Sequence, residues 1–351
     1  MTKKKLDYAV FIGRFQPYHI GHHDVLRQAL DAAEHVIIVI GSHNKSPDIR
    51  NPIQTEDRHT LISEGVRILD ATDRVSFHFQ EDHTYNETRW LTEIQSAVFS
   101  IAQRRAGWTD KPVRPSVGIV GFDKDHTTFY LSKFPQWETI DILPKYTVSA
   151  TQIRNSFFSY NGLHNFNWPS QGYQNMCERF LRDVGFRFNL FDEYDFIQEH
   201  DKSWANSPHP PIFSTTDALV TQAGHILVVR RGVSPGKGQI ALPGGYVEKT
   251  LSLAKNTLKE LREETRIKLP DAVLTGSIKR VKMYDDANRS TRGRIITQVT
   301  HFALNDEYDI PKVAGGDDAK DAFWMPVSQF LAMRSQVFED HHSIVTDLLG
   351  V

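Results

Sequence analysis

Two sets of residues in this 351-residue chain have the types and spacing to handle phosphate. In the first, Gly13-Arg14-Phe15-Gln16-Pro17-Tyr18-His19-Ile20-Gly21-His22 leads from an apolar, strand-like run into a helix-like one. Backbone N–H groups, the positive end of a helix and two imidazoles then surround one spot, a ready cradle for nucleotide phosphates. Gly13 and Gly21 let the backbone approach those phosphates closely. His19 and His22, three apart, can converge on one anion as donors. Ser149-Ala150-Thr151-Gln152-Ile153-Arg154 adds two hydroxyls, Ser149 and Thr151, at an expected helix N-terminus, with Arg154 one turn in and suited to bidentate phosphate binding. Either motif alone also fits a surface histidine pair or a plain helix cap. Their order, at opposite ends of one α/β stretch, makes the pair more specific.

In the second set, Leu242-Pro243-Gly244-Gly245 precedes a helix carrying Glu260, Glu263 and Glu264. The spacing i, i+3, i+4 puts all three carboxylates on one helix face. Like charges crowded there need a cation, and hard oxygen ligands favour magnesium, with manganese a second choice. An exposed helix laced by ion pairs such as Lys259 with Glu263 is the alternative reading.

The elements that must position these groups read as two α/β units. Strand-like runs at Tyr8 to Ile12, Val36 to Ile40, Val75 to Phe79, Val117 to Val120 and Thr139 to Leu143 alternate with helical stretches such as His22 to Ala33, the sign of a doubly wound domain. Ligands of such a sheet sit beyond the carboxyl ends of its strands, here the loops after Ile12 and Ile40. From about Asn155 the pattern loosens, and Ser207-Pro208-His209-Pro210-Pro211 closes the stretch. Adjacent prolines cannot continue a helix, so residues 1–185 are expected as one domain, 186–211 as a mostly polar linker and 212–351 as a second domain. In the latter, strands at Ala218 to Val220, Ile226 to Val229 and Ile295 to Leu304 and a helix from Ser252 to Thr265 suggest an α/β sandwich. With 40% hydrophobic residues each domain can bury its own core, as a chain of this length requires. A formal net charge of −2 provides no basic field for a nucleic acid or an anionic membrane surface. The longest apolar runs are strand-sized, and no signal-peptide pattern follows Lys3-Lys4-Lys5. With Cys177 as the single cysteine, no internal disulfide forms, and a cytoplasmic location is expected. The sequence leaves a homo-oligomer open.

His19-Ile20-Gly21-His22 together with Ser149 to Arg154 resembles the HIGH-type nucleotidyltransferases, and Gly13 to Pro17 resembles the archaeal-type nicotinamide mononucleotide (NMN) adenylyltransferases among them. Gly41-Ser42, Arg50-Asn51-Pro52 with Arg58, and Asn86 with Trp90 extend the likeness, which spans most of residues 6–160. The resemblance implies a Rossmann-like fold and transfer of AMP from ATP to NMN, giving NAD and pyrophosphate, assisted by magnesium. It also implies that Arg14 and Arg154 compensate phosphate charge with His19 and His22, that Phe15 lies in the nucleotide-binding motif, that Arg50 contacts phosphate, and that Asn86 and Trp90 hold and stack on the nicotinamide. Another phosphate acceptor, pantetheine phosphate or a flavin, is the rival reading for this half.

The spacing from Gly245 to Glu264 is similar to the Nudix box, with Leu251 in place of its first glutamate, Lys259 in place of its arginine and Arg266 in place of its last glycine. Leu251 and Lys259 read as linked losses from a structural glutamate–arginine pair, leaving a looser loop around an intact Glu260, Glu263 and Glu264. Arg289 to Arg294 and Gly316-Asp317-Asp318-Ala319 resemble segments of the Nudix half found fused to NMN adenylyltransferases. That likeness implies hydrolysis of ADP-ribose to AMP and ribose 5-phosphate, with Glu263 and Glu264 in catalysis, Gly244 and Gly245 beside the nucleotide, and Arg292 and Arg294 contacting phosphate or ribose. A basic hairpin turn accounts equally well for the two arginines, and Asp317-Asp318 reads as a turn. A Nudix half that has lost catalysis and only senses nucleotides is the alternative.

Overall fold

The structure, a computed structural model, describes residues 5–107, 114–121 and 131–351. Its contacts divide the chain into two units, Met1–Arg187 and Phe188–Val351.

The N-terminal unit is built from β1 (Leu6–Gly13), α1 (Ile20–Ala32), β2 (Ala33–Ile40), α2 (Thr55–Ile68), β3 (Val75–Phe79), α3 (Glu87–Ala106), β4 (Val117–Gly121), β5 (Glu138–Asp141), α4 (Ala150–Phe158) and α5 (Gln171–Arg187). All five strands run parallel in the order β3-β2-β1-β4-β5. Strands covered on both faces need apolar residues at every position, and Val36 to Ile40 are fully buried without alternation. One face packs Tyr8, Val10, Ile12, Ile37 and Val39 against Ile94, Val98, Ile101 and Ala102 of α3. Because β1 and β2 are in register from Leu6↔Ala33 to Gly13↔Ile40, their following loops leave the sheet side by side.

The C-terminal unit comprises α6 (Leu190–Ser203), β6 (Ile212–Gln222), β7 (His225–Arg231), β8 (Ile240–Ala241), β9 (Gly244–Tyr246), α7 (Leu253–Thr265), α8 (Asp271–Gly276), β10 (Ile278–Tyr284), β11 (Arg294–Ala303), β12 (Ala319–Pro326), α9 (Val327–Ala332) and α10 (His341–Leu349). Its mixed sheet runs β10-β11-β6-β7-β12, with β8 on β7 and β9 on β6. Ala218, Val220 and Leu227 pack against Leu261 and Leu274 of α7 and α8. Leu219, Ile226 and Val228, of opposite parity on the same strands, are equally buried, so the sheet is covered on both faces as a sandwich requires.

The stretch whose pattern loosens from about Asn155, including the 186–211 segment expected as a polar linker, is largely helical. The mixture of aromatic and polar residues is amphipathic, with Tyr173, Cys177, Leu181 and Val184 buried on α5 and Leu190, Glu193, Tyr194 and Ile197 buried on α6. Glu193 Oε2 accepts from Gly236 N–H at 3.0 Å, which ties α6 to the loop after β7. Residues 159–170, 188–189 and 204–211 are turns or irregular chain. Among the described residues no helix is long and apolar enough to cross a membrane.

In each unit a buried histidine, His35 in the first and His301 in the second, bonds through one ring nitrogen only. His35 Nε2 pairs with Ser76 Oγ at 2.8 Å and His301 Nε2 with Thr221 Oγ1 at 2.8 Å, while both Nδ1 atoms are buried without a partner. Burial first, then nearby cations (Arg105 and Arg74 for His35, Lys279 for His301), lowers both from the usual 6.5 to about 4. The neutral form is therefore favoured in the fold, and its stabilisation, present above pH 6.5, is lost as pH falls toward 4. Melting each unit across that window should show a loss of about 2 kcal/mol per histidine. His35→Gln and His301→Gln should each flatten the slope of their own unit, and unchanged slopes would contradict this account.

Candidate functional site

The N-terminal site forms where β1 gives way to α1. His19 is the N-cap of that helix: its Nδ1 accepts from Gly21 N–H at 3.1 Å, and His22 Nδ1 accepts from His19 N–H at 3.3 Å. A ring nitrogen that accepts carries no hydrogen, so both imidazoles present the Nε2–H tautomer, two donors whose ring centroids are 3.9 Å apart. His19 is buried and His22 half-buried, stacked on Tyr18. The Phe15 ring, 2% exposed, packs against Phe11, Tyr18 and His22, so only its backbone can take part in a nucleotide cradle. A Cβ on Gly13 would come within 2.7 Å of that ring.

Ser149 caps α4, its Oγ accepting from Gln152 N–H at 3.2 Å. Arg154, expected to hold phosphate with both arms, is committed to the protein here: Nε donates to Ile49 O (3.1 Å), Nη1 to Gln16 O (2.7 Å) and Nη2 to Thr151 Oγ1 (3.2 Å). Burial lowers its pKa to about 10, reinforced by repulsion from Arg14 and Arg50 and opposed by Asp48. The like charges of Arg14 and Arg50 near Arg154 make a place whose charge an anion would balance. Asp48 fixes the approach of Arg50 by accepting from its N–H at 2.7 Å and from Asn51 N–H at 2.6 Å. Asn86 is the N-cap of α3, its side chain accepting from Arg89 N–H, and Trp90 is half-buried against the sheet core near Phe134.

In the C-terminal unit a cleft is lined by Asp217, Arg231, the Gly244–Tyr246 strand, Arg292, Phe338 and His341, among others. The glycine pair is required by close packing: a Cβ on Gly244 would fall on Asp217, and one on Gly245 on the Glu260 carboxylate. Glu264 Oε2 accepts from Gly244 N–H at 3.0 Å. Burial pushes Glu264 up to about 8, held down by Gly244 N–H and Arg231 and raised further by Glu260 and Asp217. Burial likewise raises Glu260. Glu263 is turned aside to Lys259, and among the described residues no three His, Cys, Asp or Glu side chains stand together as a metal cage. The donor chemistry nonetheless fits a divalent cation, because Glu264 is buried and raised further by the neighbouring carboxylates of Glu260 and Asp217, a cost that a cation held by hard oxygen ligands would relieve.

The altered box keeps its ion pair. Lys259 Nζ lies 3.2 Å from Glu248 Oε1 and 3.4 Å from Glu260 Oε1 as well as on Glu263. The expected linked loss at Leu251 and Lys259 is thus corrected: a turn in which Leu251 N–H donates to Glu248 O (3.1 Å) brings Glu248 back to the helix in place of the missing glutamate. The pair is exposed and orders the loop more than it stabilises the fold. Arg266 occupies a left-handed position (φ 52°) at the end of α7, where the box has glycine.

Arg292 lies over Tyr246 and Phe338 and 3.5 Å from Glu339 Oε2, in the cleft wall. Arg294 is spent on Asp285 O at 2.5 Å and is not among the cleft-lining residues. Asp317, in a left-handed conformation, is part of a turn closed by Ala319 N–H to Gly316 O. Sequence reasoning missed Asp217, Arg231, Phe338 and His341. His341 Nδ1 accepts from Leu242 N–H at 2.9 Å, and its Nε2 lies 4.0 Å from Asp217 Oδ1. The only signal in the sequence was an acidic-histidine cluster, Glu339-Asp340-His341-His342, far from the box. Arg289 makes a buried two-armed pair with Asp340 (3.0 and 2.9 Å) that fixes the start of α10 beneath it.

Residues 10–156 match the cytidylyltransferase-like family and residues 212–348 the NUDIX domain. A crystal structure of a bifunctional NMN adenylyltransferase/ADP ribose pyrophosphatase from Francisella tularensis, complexed with AMP and a manganese ion, is 32% identical with a TM-score of 0.90, covering 98% of this chain and 99% of that one. The nicotinamide/nicotinic acid mononucleotide adenylyltransferase of Acinetobacter baylyi is 33% identical over 156 residues, 44% of this chain and 77% of that relative. The ADP-ribose pyrophosphatase of Methanocaldococcus jannaschii is 29% identical over 174 residues, 47% of this chain and 90% of that relative.

The two accepting Nδ1 atoms make a spectroscopic prediction. Nitrogen-15 correlation spectra at pH 8 should show His19 and His22 protonated at Nε2 and bare at Nδ1. An Nδ1–H pattern at either residue would contradict the cap geometry.

Proposed function

The chain belongs to the family of bifunctional NMN adenylyltransferase/ADP-ribose pyrophosphatases, and on that premise we propose that residues 13–22, 50 and 149–154 transfer AMP from ATP to NMN, while Glu260, Glu263 and Glu264 serve hydrolysis of ADP-ribose to AMP and ribose 5-phosphate. The observation that carries the first assignment is the pair of adjacent imidazoles at the N-terminus of α1, each accepting a backbone N–H at Nδ1, in a unit where the like charges of Arg14 and Arg50 act on the buried Arg154. In the transfer, an oxygen of the NMN phosphate bonds to the α-phosphorus of ATP as the bond to pyrophosphate breaks, giving NAD. A phosphate monoester has a second pKa near ~6, so the nucleophile is already anionic and no general base is needed. What the protein supplies is alignment and compensation of charge on the α-phosphate and the leaving group. His19 and His22 donate to those oxygens, Arg14 and Arg50 add charge, and Arg154 fixes the loop beneath. Asn86 and Trp90 are assigned to the nicotinamide, whose flat cationic ring suits an aromatic face.

In the C-terminal cleft, Glu260 and Glu264, with Glu263 once released from Lys259, would hold magnesium or manganese. A divalent cation bound there supplies Lewis acidity and lowers the pKa of an attacking water. Arg231 and Arg292 face the cleft with the charge to bind the pyrophosphate, and Tyr246 and Phe338 provide apolar surface.

The purified protein should make NAD from ATP and NMN with magnesium and cleave ADP-ribose. His22→Ala should lower NAD synthesis by about 100-fold while ADP-ribose cleavage and melting stay near wild type. Glu264→Gln, which removes a carboxylate charge at nearly constant volume, should abolish cleavage and leave NAD synthesis intact. Wild-type NAD synthesis in His22→Ala would remove the assigned role of that histidine, and persistent cleavage in Glu264→Gln would remove that of the carboxylate.

A further inference from the structure

Arg58 is 1% exposed and the largest fully buried side chain among the described residues. It lies on the first turn of α2, outside both phosphate motifs. Its Nη1 donates to Arg14 O at 2.7 Å and to Gly41 O at 2.6 Å, and its Nη2 donates to Ser42 O at 2.9 Å and to Thr55 Oγ1 at 3.0 Å. Nε is buried with no partner. A cation so placed is expensive: burial, with Arg14 adding to the fall and Asp82 and Glu56 opposing it, lowers its pKa to about 10.

The carbonyls it takes are not arbitrary. Phe15 (φ 53°) and Ser42 (φ 50°) are non-glycine residues in the left-handed region, where an L side chain crowds its own backbone. The carbonyls of Arg14 and Gly41 belong to the peptide units entering those two kinks, and both go to the same nitrogen. Ser42 is held from the other side as well, its N–H donating to Asp82 Oδ1 at 3.2 Å. One kink turns the loop after β1 toward His19 and His22, and the other starts the loop after β2 that carries Arg50.

We propose that Arg58 is the positioning residue for adenylyl transfer: its guanidinium pins the left-handed kinks at Phe15 and Ser42 and so sets the loop bearing Arg14 and the loop bearing Arg50 in one fixed relation. Arg58 touches no substrate. The fork geometry is essential, because Nη1 serves Arg14 O and Gly41 O while Nη2 serves Ser42 O and Thr55 Oγ1 from a second fixed position, whereas a lysine's three donors all radiate from one nitrogen.

This inference rests on the adenylyl-transfer reading, and the wild-type protein assayed alongside separates the two: no NAD from wild type sinks that reading, whereas the role of Arg58 is judged by ratios between variants. Arg58→Lys should lower kcat for NAD synthesis at least 10-fold and raise KM for both ATP and NMN, because both loops move. ADP-ribose cleavage in the same preparation, which depends on the other unit, should be unchanged and reports the amount of protein. Ser42→Gly, which adopts φ 50° without a side-chain penalty, should recover at least 3-fold of the lost kcat when added to Arg58→Lys. Arg58→Lys with kcat and both KM values within 2-fold of wild type overturns the proposal, as does a change confined to one substrate, or no recovery with Ser42→Gly. If Arg58→Lys does not fold, the double variant decides. A folded double variant with measurable NAD synthesis supports the assignment, and one that is inactive or also unfolded shows that the guanidinium holds the core rather than the kinks.

Discussion

Backbone carbonyls turned into the interior must find donors, and in the N-terminal unit the loops above the sheet find them in two buried guanidiniums. Arg58 takes Arg14 O, Gly41 O and Ser42 O from the β2 side, and Arg154 takes Gln16 O and Ile49 O from the α4 side. Between them the segment after β1 is clamped at two points, with Gln16 adding a reciprocal pair to Ile53 N–H and O at 2.9 Å. The imidazoles of His19 and His22 complete the scheme by accepting backbone N–H groups at Nδ1.

The same device, an ionisable side chain bonded to a loop's backbone, recurs in the C-terminal unit with the sign reversed. Glu264 accepts from Gly244 N–H and Glu193 from Gly236 N–H, while His341 accepts from Leu242 N–H. Here the loops are fixed by acceptors, and the same cleft also holds the guanidiniums of Arg231 and Arg292.

The altered Nudix box shows how a motif can lose letters and keep its mechanics. Glutamate is needed near the start of α7 to order the loop, but the turn from Glu248 to Leu251 allows that charge to come three residues early. Arg266 holds the left-handed corner of the missing glycine at some strain.

Strand runs such as Val36 to Ile40, the α1 start at His19 and the carboxylate spacing on α7 were legible because they depend on neighbours within a few residues. So were the two α/β units and the family to which each belongs. The amphipathic helices α5 and α6 were hidden because interrupted polar and aromatic residues read as loose chain until a partner surface shows which face is buried. Only tertiary structure could decide that Arg154 is spent on Gln16 O and Ile49 O, that Arg294 lies outside the cleft, and that Glu248 replaces Leu251 as the partner of Lys259. It likewise brought Asp217, Arg231 and His341 from separate strands and helices to one cleft. Residue type and spacing state what a side chain can bond to, but which carbonyl or carboxylate lies within 3 Å of a guanidinium is set by elements that meet across ~100 residues of chain, where no local period reaches.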